Sequence, residues 1–153
     1  MSVPRRILVG VDGSACAQRA LQWTVALAEA LGADVVAVHA LGLLTHLPGP
    51  AVPSAGHHDD VQRAFEQWCE PLRSSQVAHR CLLVEGNPVI ALLTAGDEHD
   101  ADLLVVGSRG TGGFPGLQLG SSSLQLVQHS SRPVVVVPAR PGDLPADGDR
   151  RPD

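Results

Sequence analysis

The chain has no lysine; all 11 of its basic residues are arginines. That excludes Schiff-base chemistry and any P-loop that depends on a lysine beside the phosphates. Tyrosine is missing too, and aromatic residues reach only 3%. A core must then be built from Val, Leu, Ile and Ala, the material of a sheet covered by helices on both faces. There is no basic run and the formal net charge is -5, so nucleic acid is not an expected partner. Cysteine is limited to Cys16, Cys69 and Cys81, with no C-x-x-C pair, which suits a reduced compartment better than a disulfide framework. No signal-peptide pattern and no apolar run long enough to cross a bilayer is found. The expected location is the cytoplasm, without a membrane partner.

At 153 residues the chain has room for one domain, expected over 1–139, with a Pro-, Gly-, Asp- and Arg-rich tail over 140–153 expected to be disordered. Short apolar runs read as buried strands at 7–11, 34–40, 81–84, 103–106 and 134–137. Between them, apolar residues at three- and four-residue spacing predict a helix from Ser14, a natural N-cap, to Gly32, a natural stop. A helix is predicted over 59–74, kinked or shortened by Pro71. Another opens at Pro88 and is weakened by Gly96, and a last one runs over 121–130. The stretch over 41–56, with Pro48, Pro50 and Pro53, reads as a surface loop. Strands alternating with helices imply right-handed crossovers and a mostly parallel sheet.

One segment carries chemistry. Gly107-Ser108-Arg109-Gly110 is followed, after nine residues, by Gly120-Ser121-Ser122-Ser123. Glycines let backbone approach an anion, and turn amides can point their N–H groups at it. The helix opening at Ser121 adds unpaired N–H groups and the positive end of its dipole. The hydroxyls of Ser121 and Ser123 can donate further bonds. Arg109 is the nearby cation, so Mg²⁺ carried on the phosphates would help neutralise a triphosphate. With glycine and Ser/Thr each near one residue in ten, four such fixed positions coincide by chance about once in 10⁴ placements. The segment is neither a G-x-G-x-x-G after the first strand nor a Walker loop.

These blocks resemble the nucleotide-binding branch of the universal stress protein family. The resemblance is carried by residues 7–14, by His39-Ala40, by Val105-Val106-Gly107-Ser108-Arg109-Gly110, by Leu119-Gly120-Ser121 and by residues 133–137. The family's signature of Gly, two residues, Gly, nine residues, Gly and Ser/Thr falls on Gly107, Gly110, Gly120 and Ser121. The resemblance implies a single three-layer α/β domain with a five-stranded parallel sheet of order 3-2-1-4-5 and helices on both faces. It implies an adenine nucleotide, ATP, bound at the strand 1/strand 4 switch. Asp12 and Ala40 would lie toward adenine and ribose, Gly107, Ser108, Arg109, Gly110, Gly120, Ser121, Ser122 and Ser123 toward the phosphates, and Gly10, Val11, Gly13 and Val106 would complete the nucleotide-binding set. Ala40 stands where the family usually has Val, and Ser122 where Val is common. The family commonly dimerises through its last strand, here Val134–Val137.

Other features read as structure. Asp12-Gly13-Ser14 is also ordinary turn chemistry. His57-His58-Asp59-Asp60 is too tight a run to converge on a metal and suits a solvated helix start. His39 reads as strand-end packing, His129 as a complement to a helix dipole, and Trp23 and Trp68 as helix-face packing. No Ser-His-acid arrangement or paired carboxylates emerge. A binding module is thus expected; a slow ATPase and a structural dimer without nucleotide are the alternatives, and scarce aromatics disfavour flavin.

Overall fold

Ser14 and Gly32 bracket the first helix in the computed structural model, which describes residues 2–41, 56–109 and 119–140. The Ser14 side chain accepts from the Ala17 amide, and Gly32 closes the helix in the left-handed region at φ 65. Between them runs α1 (Ala15–Leu31), burying Cys16, Ala17, Ala20, Leu21, Thr24 and Ala28. The strands are β1 (Arg6–Gly10), β2 (Asp34–Leu41), β3 (His79–Glu85), β4 (Leu103–Gly107) and β5 (Val134–Val137). The helices after α1 are α2 (Gly56–Trp68), α3 (Glu70–Arg73), α4 (Pro88–Glu98) and α5 (Ser121–His129). Asn87 caps α4, its side chain accepting from the Val89 and Ile90 amides, with Pro88 at the helix start where its missing N–H costs nothing.

All pairings are parallel, and the sheet runs β3-β2-β1-β4-β5. Successive residues of each strand face opposite layers. Ile7, Val9, Val35, Ala37, Leu103 and Val105 join Ala20, Leu21, Phe65 and Leu72 on the α1, α2 and α3 side. Leu8, Val36, Val38, Leu104 and Val106 join Val89, Leu92, Ala95 and Leu126 on the α4 and α5 side. Full burial of each Leu or Phe contributes about 1.5–3 kcal/mol, so aliphatic residues supply nearly all of the cohesion, as the composition requires. The three-layer α/β architecture and the 3-2-1-4-5 order implied by the resemblance are both present.

Three expectations need correction. The helix predicted over 59–74 is two helices: α2 begins earlier, at Gly56, and breaks at Cys69. Pro71 donates no amide, which a first helical turn tolerates and a helix interior does not, so the chain restarts as α3. β3 is longer than 81–84 because its pairing with β2 extends from Val35↔His79 to Leu41↔Glu85. Trp23 is not buried against a helix face; it is 41% exposed. Gly96 is buried within α4, where an added Cβ would meet Leu104 at 3.4 Å, an ordinary contact. The surface loop over 41–56 and the tail over 140–153 fall, but for Leu41, Gly56 and Arg140, outside the described residues.

Candidate functional site

β1 connects through α1 to β2 on one side of the sheet, whereas β4 leads through α5 to β5 on the other. The order reverses between β1 and β4, and at such a switch the carboxyl ends of the two strands open a crevice. Val9 pairs with Val105, so the residues after Gly10 and after Val106 emerge side by side.

On the β1 side the backbone is pinned at each step. The Val11 amide donates to the Val38 carbonyl at 2.9 Å, and the Val11 carbonyl accepts from Nδ1 of His39 at 2.7 Å. Asp12 accepts from the Ser14 amide at 2.9 Å, an Asx turn that aims the chain into α1. Gly13 has φ 81, and a Cβ there would lie 2.4 Å from the Trp68 ring, so no other residue fits. Ala40, half-buried, lies two residues beyond the last β1–β2 pair, Gly10↔Val38, at the same end of the sheet as Asp12.

His39 is 5% exposed, edge-on to Trp68 with ring centroids 5.1 Å apart, and near Phe65. With Nδ1 donating, Nε2 carries the free lone pair and finds no hydrogen-bond partner among the described residues. Burial pushes the imidazole below its usual range, against the opposing effects of the bond to Val11 and the charge of Asp12.

On the β4 side Ser108 is the knot. It is buried; its amide donates to the Val137 carbonyl at 2.8 Å, its carbonyl accepts from the Gly120 amide at 2.6 Å, and its Oγ accepts from the Ala139 amide at 3.1 Å. The two ends of the glycine segment are thus joined directly, next to the end of β5. Gly107 lies against α1, where an added Cβ would meet the Cys16 carbonyl carbon and Sγ at 2.9 Å. Gly120 is the N-cap of α5 and makes no side-chain cap bond. The first amides of α5 have no partner within the helix and sit at its positive end. Ser121 and Ser122 are exposed. Ser123, in contrast, is buried, and its hydroxyl donates to the Gly107 carbonyl at 2.7 Å, bracing α5 on β4.

The fold therefore brings Gly10, Val11, Asp12, Gly13 and Ala40 to one flank of the switch. Val106, Gly107, Ser108, Gly120, Ser121, Ser122 and Ser123 come to the other. Val106 points away from the α1 layer, its side chain 3.3 Å from where a Gly10 Cβ would stand. Arg109 is half-buried at the edge of the segment; Gly110 lies outside the described residues. Trp68, read from its spacing only as helix packing, is also the wall over Gly13. No local pattern relates residue 68 to residue 13; only the topology does.

Asp59 and Asp60 are exposed at the start of α2, and Asp60 faces Arg63 at 3.9 Å. Among the described residues no group of three or more His, Cys, Asp or Glu could hold a metal, and no helix is long and apolar enough to cross a membrane. A cavity of about 760 Å³ lies between α1 and β5, lined by Gln18, Arg19, Gln22, Trp23, Val136 and Arg140 among others.

Known proteins share this fold. A universal stress protein from Thermus aquaticus is 34% identical over 134 residues, which cover 87% of this chain and 98% of that one. One from Mycobacterium tuberculosis is 35% identical over 143 residues, covering 86% of this chain but 46% of its own length. The chain thus spans the whole of the first relative and about half of the second. A solved universal stress protein in complex with cAMP superposes with a TM-score of 0.70 at 26% identity, covering 89% of this chain and 98% of its own. The family model described as the universal stress protein family matches residues 4–138, and the chain belongs to that family.

Proposed function

We propose that this chain is an ATP-binding regulatory module, with adenine and ribose on the Asp12 and Ala40 flank and phosphates over the 107–123 segment. The observation that carries the reading is the 2.6 Å bond from the Gly120 amide to the Ser108 carbonyl. It holds the N-terminal end of α5 against the end of β4 at the sheet's switch, the arrangement that receives phosphates in doubly wound sheets. The cAMP complex of a relative 26% identical supports an adenine nucleotide as the ligand class.

The donors suit an anion: α5 amides, the exposed Ser121 and Ser122 hydroxyls, and Arg109 on the loop. Glycine at 110 and 120 brings no side chain that would hold an anion off the backbone. No carboxylate cluster for a metal is found among the described residues, so Mg²⁺ takes its ligands from phosphate oxygens and water. The chain holds no lysine for a leaving phosphate, and the reading is one of binding rather than rapid turnover. The protein's nucleotide-bound state is what a partner reads.

Mass spectrometry of material released on denaturing the purified protein should find adenine nucleotide. Calorimetry should give ATP binding that strengthens with Mg²⁺ and exceeds GTP binding; no heat from micromolar to millimolar ATP, with and without Mg²⁺, refutes the reading. Gly120→Val should abolish binding with the circular dichroism unchanged, and Asp12→Ala should weaken it less. A Gly120→Val variant that binds like the wild type moves the cradle elsewhere.

A homodimer through β5 belongs to the same proposal. β5 is an edge strand of four valines, of which only Val137 is buried. An open ladder of N–H and C=O groups on such a strand invites a second copy. The α1–β5 cavity with exposed Trp23 beside it extends that edge into an apolar surface a second copy would cover.

A further inference from the structure

Cys81 lies in β3 opposite Ala37 of β2, and registered neighbours in a parallel sheet share a face. Ala37 belongs to the α1, α2 and α3 layer, as do Cys69 and the partly buried Leu83 two residues along β3. Cys81 therefore faces the layer in which Cys69 sits, at the break between α2 and α3. The two thiols are neighbours, each the largest influence on the other's titration, and no disulfide joins them. One is buried and the other exposed. β3 is the sheet edge opposite β5, so a dimer built on β5 leaves Cys81 open to solvent. Neither thiol belongs to the nucleotide site described above.

We propose that Cys69 and Cys81 are a peroxide-reactive dithiol, with Cys81 as the attacking sulfur and Cys69 as the resolving one. The division of labour follows from the surroundings. Its neighbour Cys69, aided by His79 and Arg73, lowers Cys81 to about 7 against the desolvation of its sulfur, so much of it is thiolate at neutral pH. The neighbouring Cys81 and burial push Cys69 up, which keeps it protonated until it is needed. Hydrogen peroxide is the oxidant. The Cys81 thiolate attacks one peroxide oxygen, the O–O bond breaks, and the departing hydroxide takes a proton to leave as water, giving a sulfenic acid. The Cys69 sulfur then attacks the sulfenic sulfur: an S–S bond forms, the S–O bond breaks, and hydroxide leaves with the thiol proton as a second water. Two electrons pass from the thiols to the peroxide. The product ties the end of α2 to the sheet edge, one residue from the Trp68 ring that covers Gly13.

The test treats the full chain with hydrogen peroxide, then denatures it in N-ethylmaleimide and measures intact mass. Adducts should fall from three to one, with a peptide crosslinking Cys69 to Cys81 and with Cys16 the residue still alkylated. In Cys69→Ser the sulfenic acid should accumulate at Cys81 and be trapped by dimedone, whereas Cys81→Ser should consume no peroxide at Cys69. Oxidation of Cys81 without the Cys69 link, or a Cys81–Cys81 bond between two copies, overturns the proposal. The wild-type peptide map decides the question even if a serine variant misfolds.

Discussion

Replacing Gly107 with alanine separates what that glycine does for the fold from what it does for a ligand. Its added Cβ would stand 2.9 Å from the carbonyl carbon and Sγ of Cys16 and 3.0 Å from the Cys16 carbonyl oxygen. Two of those three atoms are backbone, in the first turn of α1, so relief requires moving the helix. Overpacking of this kind costs about 1–3 kcal/mol. Alanine also stiffens the unfolded chain, which returns ~0.4–1 kcal/mol. The net loss is on the order of 1–2 kcal/mol, and at ~2–4 °C per kcal/mol for a domain of this size Tm should drop by about 2–8 °C. Thermal unfolding of nucleotide-free protein is the assay, because the clash exists without ligand. Adding Cys16→Ala removes Sγ but leaves both backbone atoms, so the double variant should stay destabilised. A Gly107→Ala protein as stable as the wild type, or full rescue by Cys16→Ala, refutes the argument that α1 rather than a ligand excludes a side chain here.

Ser123→Ala should cost about 1–3 kcal/mol in chemical denaturation, since it leaves the Gly107 carbonyl without its buried donor; a change near zero would mean that α5 is not braced on β4 by this bond. Folded His39 titrates below 6.5, chiefly through burial, so between the two values the unfolded chain binds more protons. Its contribution is intact above 6.5 and is lost as pH falls through the folded value; His39→Gln should flatten the stability–pH curve there, and parallel curves would refute the assignment. Light scattering should give a dimer mass at micromolar concentration, weakened by Trp23→Glu beside β5; a wild-type monomer excludes the β5 interface.

The elements legible in the sequence were those with local signals. Val134–Val137 stands between two prolines and is the strand as read, Ser14 and Gly32 cap α1 where capping chemistry alone puts them, and Pro88 opens α4. What escaped were long-range facts. The extension of β3 to His79 depends on β2 being there to pair with it, and the polar residues His79 and Arg80 give no strand signal. The break at Cys69 was hinted at by Pro71, but a proline's position does not say whether the helix ends or restarts. The inward turn of Ser123 was invisible for a similar reason. In a run of three serines nothing local distinguishes the one facing the core, whereas helical geometry with Leu126 buried three residues later puts Ser123 on the same face.

The glycines show why a signature motif mixes two demands. Gly13 is fixed by a positive φ and by the Trp68 ring, and Gly107 by the start of α1. Both would be needed by this packing with no nucleotide at all. Gly120, whose amide closes the segment onto Ser108 and whose position opens α5, is different, because neither a positive φ nor a helix packed against it fixes it as glycine. Substitutions should therefore divide: those at Gly13 and Gly107 lower stability first, and any loss of binding follows from that, whereas those at Gly120 lower binding first. Measuring Tm without ligand and ATP affinity on the same three variants tests that division directly. If all three lose stability equally and binding equally, the glycines serve only the fold, and the phosphate cradle has to be sought away from α5.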